Sequence, residues 1–355
     1  MVFPFGGWII IVIARNQCAH WSRGNPQPKA LDNAEIVPDR RENTSEGGAN
    51  FNRGEAAHYL HFPLFTFHSF TEDTFMSISK SVRTDMAEEL RRRHAGEIPG
   101  VKCEAQTLHG LSVFALEVMN AEGEAALGKP RGHYYTLCLP RFFDRGSERF
   151  SDAVTALSEL IRRCLPEEHE NVLVAALGNP DITPDALGSL AAGSVLVTRH
   201  LKEKEPDSFS DFCSLALCRP GVLGTSGLES AEQIRVMCEA IRPQLTVAID
   251  ALAGAEADAL CRSVQVSDAG ISPGSGVGND RKELSRATLG VPVVSLGMPT
   301  VIDAGFFGEE SLSGMFVTPR DIDSQVRAGG RLIGYALNLA LHRNLTIADV
   351  DALVG

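Results

Sequence analysis

Two unbroken apolar runs limit what this chain can fold into. Residues 172–177 read VLVAAL and stop at Gly178-Asn179-Pro180; residues 245–250 read LTVAID and stop on a carboxylate. A strand wetted on one face alternates apolar and polar residues. A continuous run therefore marks a strand buried on both faces, as in a parallel sheet covered by helices. Residues 111–118, 133–139, 213–217, 264–267 and 291–297 read as further strands, rich in apolar and β-branched residues. Residues 148–165 carry helical spacing through Phe150, Val154, Leu157, Leu160, Ile161 and Leu165. Residues 185–197 and 229–241 repeat that spacing, and 321–342 form a long amphipathic helix. Strands alternating with helices predict an α/β fold, a parallel or mixed sheet with helices on both faces in three layers.

The first 75 residues do not share this rhythm. They hold both tryptophans, eight of the 17 phenylalanines and four of the ten histidines, and residues 25–53 are polar without a periodic apolar face. Such a stretch buries too little surface to offset its ordering entropy. Residues 1–75 read either as a disordered extension or as translated upstream sequence, adding nothing to the fold in both cases. The apolar residues 8–14 fall well short of the ~18 needed for a membrane span. No Lys or Arg precedes them, as a signal peptide would require. Acids outnumber bases by 45 to 33, which argues against a direct nucleic-acid partner, because such a groove needs a basic face. The eight cysteines form no C-x-x-C or Cys/His zinc pattern, so they read as reduced thiols of a cytoplasmic protein.

In open α/β sheets, ligands bind at the carboxyl ends of the strands. Asp185 follows the first apolar run through LGNPDITPDALG, a loop that also contains Asn179, and Asp250 ends the second run. Each aspartate has two readings. Asp185 lies beside Thr183-Pro184, where Pro favours a first helical turn and Thr or Asp a cap, and Asp250 would cap a following helix, ALAGAEADAL. Alternatively the two form a carboxylate pair in which one member stays protonated and polarises an amide while the other activates water. A third strand-end loop, SDAGISPGSGVGN, holds Asp268 and four glycines, Gly274 and Gly276 among them. These allow close backbone approach to a ligand, or only tight turns. No P-loop, H-E-x-x-H or G-x-S-x-G motif is present.

LGNPDITPDALG, LVTRHL, RPGVLGTSGLES, VAIDALA, VSDAGISPGSGVGNDRKELS and TLGVPVVSLGMPTVIDA together resemble the spore germination protease family. The likeness runs almost without a gap from about 171 to 305 and is weaker over 81–150. It returns in MFVTPRDID and the final helix. It implies an endopeptidase that initiates degradation of small acid-soluble spore proteins during germination. It also implies a fold similar to hydrogenase-maturation proteases, an atypical aspartic-type mechanism without a cofactor, residence in the spore core, and a homo-oligomer. Motif by motif, the family's catalytic aspartates fall on Asp185 and Asp250.

The resemblance further implies a zymogen that removes its own propeptide. The matching stretch is VRTDMAE, residues 82–88, cut between Asp85 and Met86. Residues 76–85 would then be the propeptide and 86–355 the protease domain, with residues 81–90 extended and reachable. Asp85 could instead cap the helix MAEELRRRHA. This chain departs from the family pattern in three places. It is shorter between Asp303 and Met315, lacks an Arg near Ala255, and has Ser272 where a His is usual. A metal-assisted variant stays open, although no metal ligands are assigned. The other readings are a metal-dependent amidohydrolase and a non-catalytic binding protein on the same fold.

Overall fold

The computed structural model describes residues 2–5, 8–11 and 83–354, apart from residues 142, 279, 280 and 308–311. The strands are β1 (Val2–Phe5), β2 (Trp8–Ile11), β3 (Val101–Leu108), β4 (Leu111–Val118), β5 (Gly132–Cys138) and β6 (Asn171–Ala176). They continue with β7 (Ser214–Cys218), β8 (Leu245–Gly254), β9 (Ser263–Ser267), β10 (Val293–Asp303) and β11 (Phe316–Pro319). The helices are α1 (Ala87–Arg92), α2 (Ala121–Leu127), α3 (Phe150–Cys164), α4 (Leu187–Ala192) and α5 (Arg199–Lys204). After them come α6 (Leu223–Ser226), α7 (Ser230–Ile241), α8 (Arg286–Leu289), α9 (Ile322–Leu341) and α10 (Ile347–Val354).

All strands join one mixed sheet. Strands β7, β6, β8 and β10 lie side by side and parallel, and β9, β5, β4 and β3 follow on the far side of β10, each antiparallel to its neighbour. The unbroken apolar runs are explained by this burial. On β6, Val172 and Val174 face a core shared with α3, α4 and α9, while Leu173 and Ala175 face α7 on the other side. Helices therefore cover both faces of the parallel half, as the α/β reading predicts.

The last helix fits closely. A Cβ on Gly330 would lie 2.9 Å from the Ala191 backbone nitrogen, and one on Gly334 would lie 2.9 Å from the Ala191 carbonyl oxygen. These glycines let α9 cross α4 at backbone distance and hold it against the strand ends.

Several sequence expectations need correction. The segment after Asp250 is not a helix: β8 continues to Gly254, paired with β10 as far as Ile302. Asp250 thus lies within a strand and caps nothing. The helical reading of 185–197 shrinks to α4, preceded by a 3-10 turn over Thr183–Asp185. Trp8–Ile11 pairs antiparallel with β11, contrary to the expectation that nothing before Met76 joins the fold. Apart from Val2–Phe5 and Trp8–Ile11, that segment, together with propeptide residues 76–82, lies outside the described residues.

Candidate active site

The site begins where β6 ends against the middle of β8. The Leu177 amide donates to the Ile249 carbonyl at 2.8 Å, so the chain leaving β6 turns directly beside Asp250. Gly178 has φ +94, and a Cβ there would lie 1.9 Å from the Asp185 carbonyl oxygen. Only glycine permits that turn. Helix α4 then presses Gly188 onto the same strands, where a Cβ would meet the Leu177 carbonyl at 2.3 Å and the Ile249 carbonyl at 2.8 Å. Two glycines thus bring Asp185 against the middle of the strand that carries Asp250.

The two carboxylates have different surroundings. Asp185 is half-buried, and one of its oxygens accepts the Asn179 amide at 2.8 Å. This bond reaches back across the loop. The position that caps α4 is Ala186, without a side-chain bond, so the capping reading of Asp185 does not hold. Burial pushes its pKa up to about 6, opposed by the Asn179 amide and the positive charge of Arg281. Asp250 is 4 % exposed and accepts the neighbouring Ala251 amide at 3.0 Å. Its pKa is driven well above the usual carboxylate range by burial first, then by the charges of Asp185 and Asp85. An ionised Asp185 raises the proton affinity of Asp250, which favours a state with one proton, held on Asp250.

Asp85 is the third acid of this neighbourhood. Its amide donates to the Ala253 carbonyl at 2.9 Å, and its carboxylate accepts the Ala253 amide at 2.9 Å and the Ser275 hydroxyl at 2.6 Å. Gly276 makes room for it, since a Cβ there would lie 2.3 Å from an Asp85 carboxylate oxygen. The cap position of α1 is Met86, without a side-chain bond, so the capping reading of Asp85 does not hold either. Residues 83–86 precede the helix without helical structure, but past the exposed Arg83 they are not reachable: Asp85 and Met86 are 7 % and 1 % exposed. The expectation of an accessible segment fails because the carboxylate docks on β8.

The glycine loop contributes unevenly. Gly274 and Gly278 take φ +75 and +69 and frame the turn that brings Gly276 onto Asp85. Asp268 goes elsewhere. It accepts the His133 amide at 2.6 Å and sits 2.8 Å from His133 Nδ1, at the start of β5. Sequence reading missed Arg281, whose only signal was a basic residue just after the glycine loop. Among the described residues, no three His, Cys, Asp or Glu side chains gather as a metal-holding group.

The comparisons with known proteins fit this geometry. The germination protease family model matches residues 79–313. The germination protease of Clostridium perfringens (strain ATCC 13124) is 35% identical over 329 residues, covering 78% of this chain and 99% of that protein. That of Caldanaerobacter subterraneus subsp. tengcongensis is 33% identical over 323 residues, covering 79% of this chain and 100% of its own length. The Priestia megaterium germination protease is 38% identical over 238 residues, 63% of this chain and 64% of its own. The match includes both strand-end aspartates and the glycine loop, and it shows that the chain belongs to the germination protease family.

Proposed function

We propose that this peptidase cleaves amide bonds with the Asp185–Asp250 pair and that its substrates are the small acid-soluble proteins of the spore core. The observation that carries this reading is the asymmetry of the two acids. Asp185 is half-buried, receives the Asn179 amide hydrogen bond and lies in the positive field of Arg281, so it is the ionised base. Asp250 is buried and repelled by neighbouring acids, so it keeps the proton. Asp185 takes a proton from water as that water attacks the carbonyl carbon. Asp250 gives its proton to the amide, and the C–N bond then breaks to leave a carboxylic acid and an amine. General acid–base steps of this kind contribute about 10²–10⁴-fold each. The same reading takes the chain as a zymogen cut between Asp85 and Met86, with residues 86–355 as the protease domain working as a homo-oligomer.

The test is cleavage of a purified small acid-soluble spore protein, with and without a chelator. Native protein should cut it in both conditions, while Asp185→Asn and Asp250→Asn should each lose at least about 10²-fold in kcat/KM with the fold retained. Loss of activity on chelation would transfer the chemistry to a metal. Near-normal turnover by either variant would remove that residue from the pair.

A further inference from the structure

A cavity of about 540 Å³ opens at the opposite end of the sheet from the aspartates. It lies between the end of α3, the residues that lead into β6 and β7, and the last turn of α9. The length of β6, roughly 20 Å, separates it from Asp185 and Asp250. Its size falls within the range of about 300–1,000 Å³ common to small-molecule sites.

The deepest polar group of this cavity has nothing to bond. His342 follows α9 directly and is 3 % exposed, and neither of its ring nitrogens has a hydrogen-bond partner. The ring packs against Phe212, with 5.2 Å between centroids. Burial pulls its pKa down to about 4. The Leu196 carbonyl lies near enough to oppose that pull without closing a hydrogen bond, and the Lys202 charge adds to it. The imidazole is therefore neutral and keeps one N–H to donate. Beside it, the half-buried Lys202 ammonium donates to the Phe212 carbonyl at 2.5 Å and has two further N–H groups. On the wall above, the Arg162 guanidinium donates to the Leu339 carbonyl. Neither cation is paired with an acid among the described residues. Buried donors without acceptors call for an anionic oxygen, and the ammonium would repel a metal ion.

The rest of the lining sets the shape of what carries that oxygen. Leu165, Pro166 and Phe212 give apolar walls. Glu167, Glu170 and Asp211 also line the cavity but are exposed, so they stand at its mouth, where Glu170 lies 3.7 Å from Arg343. Polarity thus runs from donors at the floor, past apolar walls, to acceptors at the mouth. A peptide entering by its carboxyl end has the matching order: a carboxylate, an apolar side chain, then backbone N–H groups.

We infer that this cavity binds the C-terminal carboxylate of a short peptide, with Lys202 and His342 as the groups that receive it. The site goes beyond the catalytic reading above and does not depend on which residues cleave. Hydrolysis of any peptide bond leaves a new C-terminal carboxylate, so the products of a peptidase carry the group that the floor lacks. Backbone carboxylate capture of this kind accepts many sequences and rejects their amides.

The experiment is titration calorimetry on the full chain carrying Asp250→Asn, in which turnover plays no part. The ligands are the tripeptide Ala-Ala-Leu, its C-terminal amide and free leucine. The free acid should bind about tenfold or more tightly than the amide, the size of one charge-assisted hydrogen bond. Lys202→Met should remove that preference by weakening the acid alone. Lys202→Arg should keep it, which separates lost charge from lost folding. His342→Phe keeps a ring against Phe212 but removes both nitrogens, and it should weaken the acid about threefold or more. With Asp250 restored, Lys202→Met should cleave protein substrate at the native rate. No binding of the acid, equal binding of acid and amide, or a preference that survives Lys202→Met overturns the inference. Free leucine that binds as tightly as the tripeptide would reduce the ligand to an amino acid and overturn the peptide assignment. A loss of cleavage in Lys202→Met that matches its loss of binding would place Lys202 in the catalytic route and overturn the separate site.

Discussion

Burying two neighbouring carboxylates is unfavourable unless a proton stays with them. This gives the pair a pH signature. Activity should rise as the pH passes through about 6, where Asp185 ionises, and fall again at higher pH when Asp250 loses its proton. A flat profile across that range would reject the assignment of base and acid. Stability should move in the opposite sense. The folded-state pKa of Asp185 is raised from 3.8 to about 6, so its contribution is fully present below 3.8 and is lost as the pH climbs through 6. Thermal melts of Asp185→Asn should show a weaker decline over that window than the native chain. Thiol chemistry is not expected, since burial pushes Cys213, Cys218 and Cys261 up to about 12. Iodoacetamide should therefore leave peptide cleavage intact, and stoichiometric inactivation would point to a cysteine nucleophile instead. Both aspartates were legible in the sequence because each follows an apolar run that reads as a strand buried on both faces. Arg281 was not, because a single basic residue in a loop carries no periodicity and its neighbours at the site come from distant segments.

At the scale of elements, what the sequence hid was long-range pairing. The segment after Asp250, ALAG, is rich in residues with high helix propensity. Its parallel register with Gly297–Ile302 of β10 nevertheless keeps it extended. Strand β3 escaped notice for another reason: most of its residues are exposed, so it has no apolar pattern to read. The long final helix was legible because its buried face repeats over 20 residues. That helix matters to the chemistry through α4, which it holds on the strand ends. The contact at Gly188 is the tightest point of this support. Gly188→Ala would place a methyl 2.3 Å from the Leu177 carbonyl and 2.6 Å from its amide nitrogen. Both are backbone atoms that cannot rotate away, so overpacking should destabilise the fold by about 1–3 kcal/mol. Asp185, which immediately precedes α4, should shift with it. The expected result is a lower melting temperature together with a fall in kcat, whereas Gly193→Ala, where the nearest atom is 3.3 Å away, should do much less. Equal effects at the two glycines would show that α4 does not position the base.

Across the whole molecule, the segment before Met86 meets the protease core at β2, which pairs with β11, and at the docked stretch around Asp85. If the chain is cut between Asp85 and Met86, the core keeps its own anchors. Met86 and Ala87 are buried, and the Glu89 carboxylate accepts the Ala255 amide at 2.8 Å and the Glu256 amide at 3.1 Å. What leaves with Asp85 includes its hydrogen bonds with the Ala253 amide and carbonyl and with the Ser275 hydroxyl, which frees the end of β8 for a substrate to occupy. The cut chain should therefore start at Met86, remain folded, bind peptide more tightly and exchange its Ala253 amide faster. The burial of Asp85 and Met86 also dictates the kinetics. A second molecule cannot reach that bond until the segment undocks. Processing is thus limited either by undocking or by cleavage within the same chain, and both are first-order. Intact-mass time courses at several protein concentrations should show one rate constant and one product beginning at Met86. A rate that grows with concentration, a different first residue, or full activity in a chain that stays uncut would each reject this account of activation.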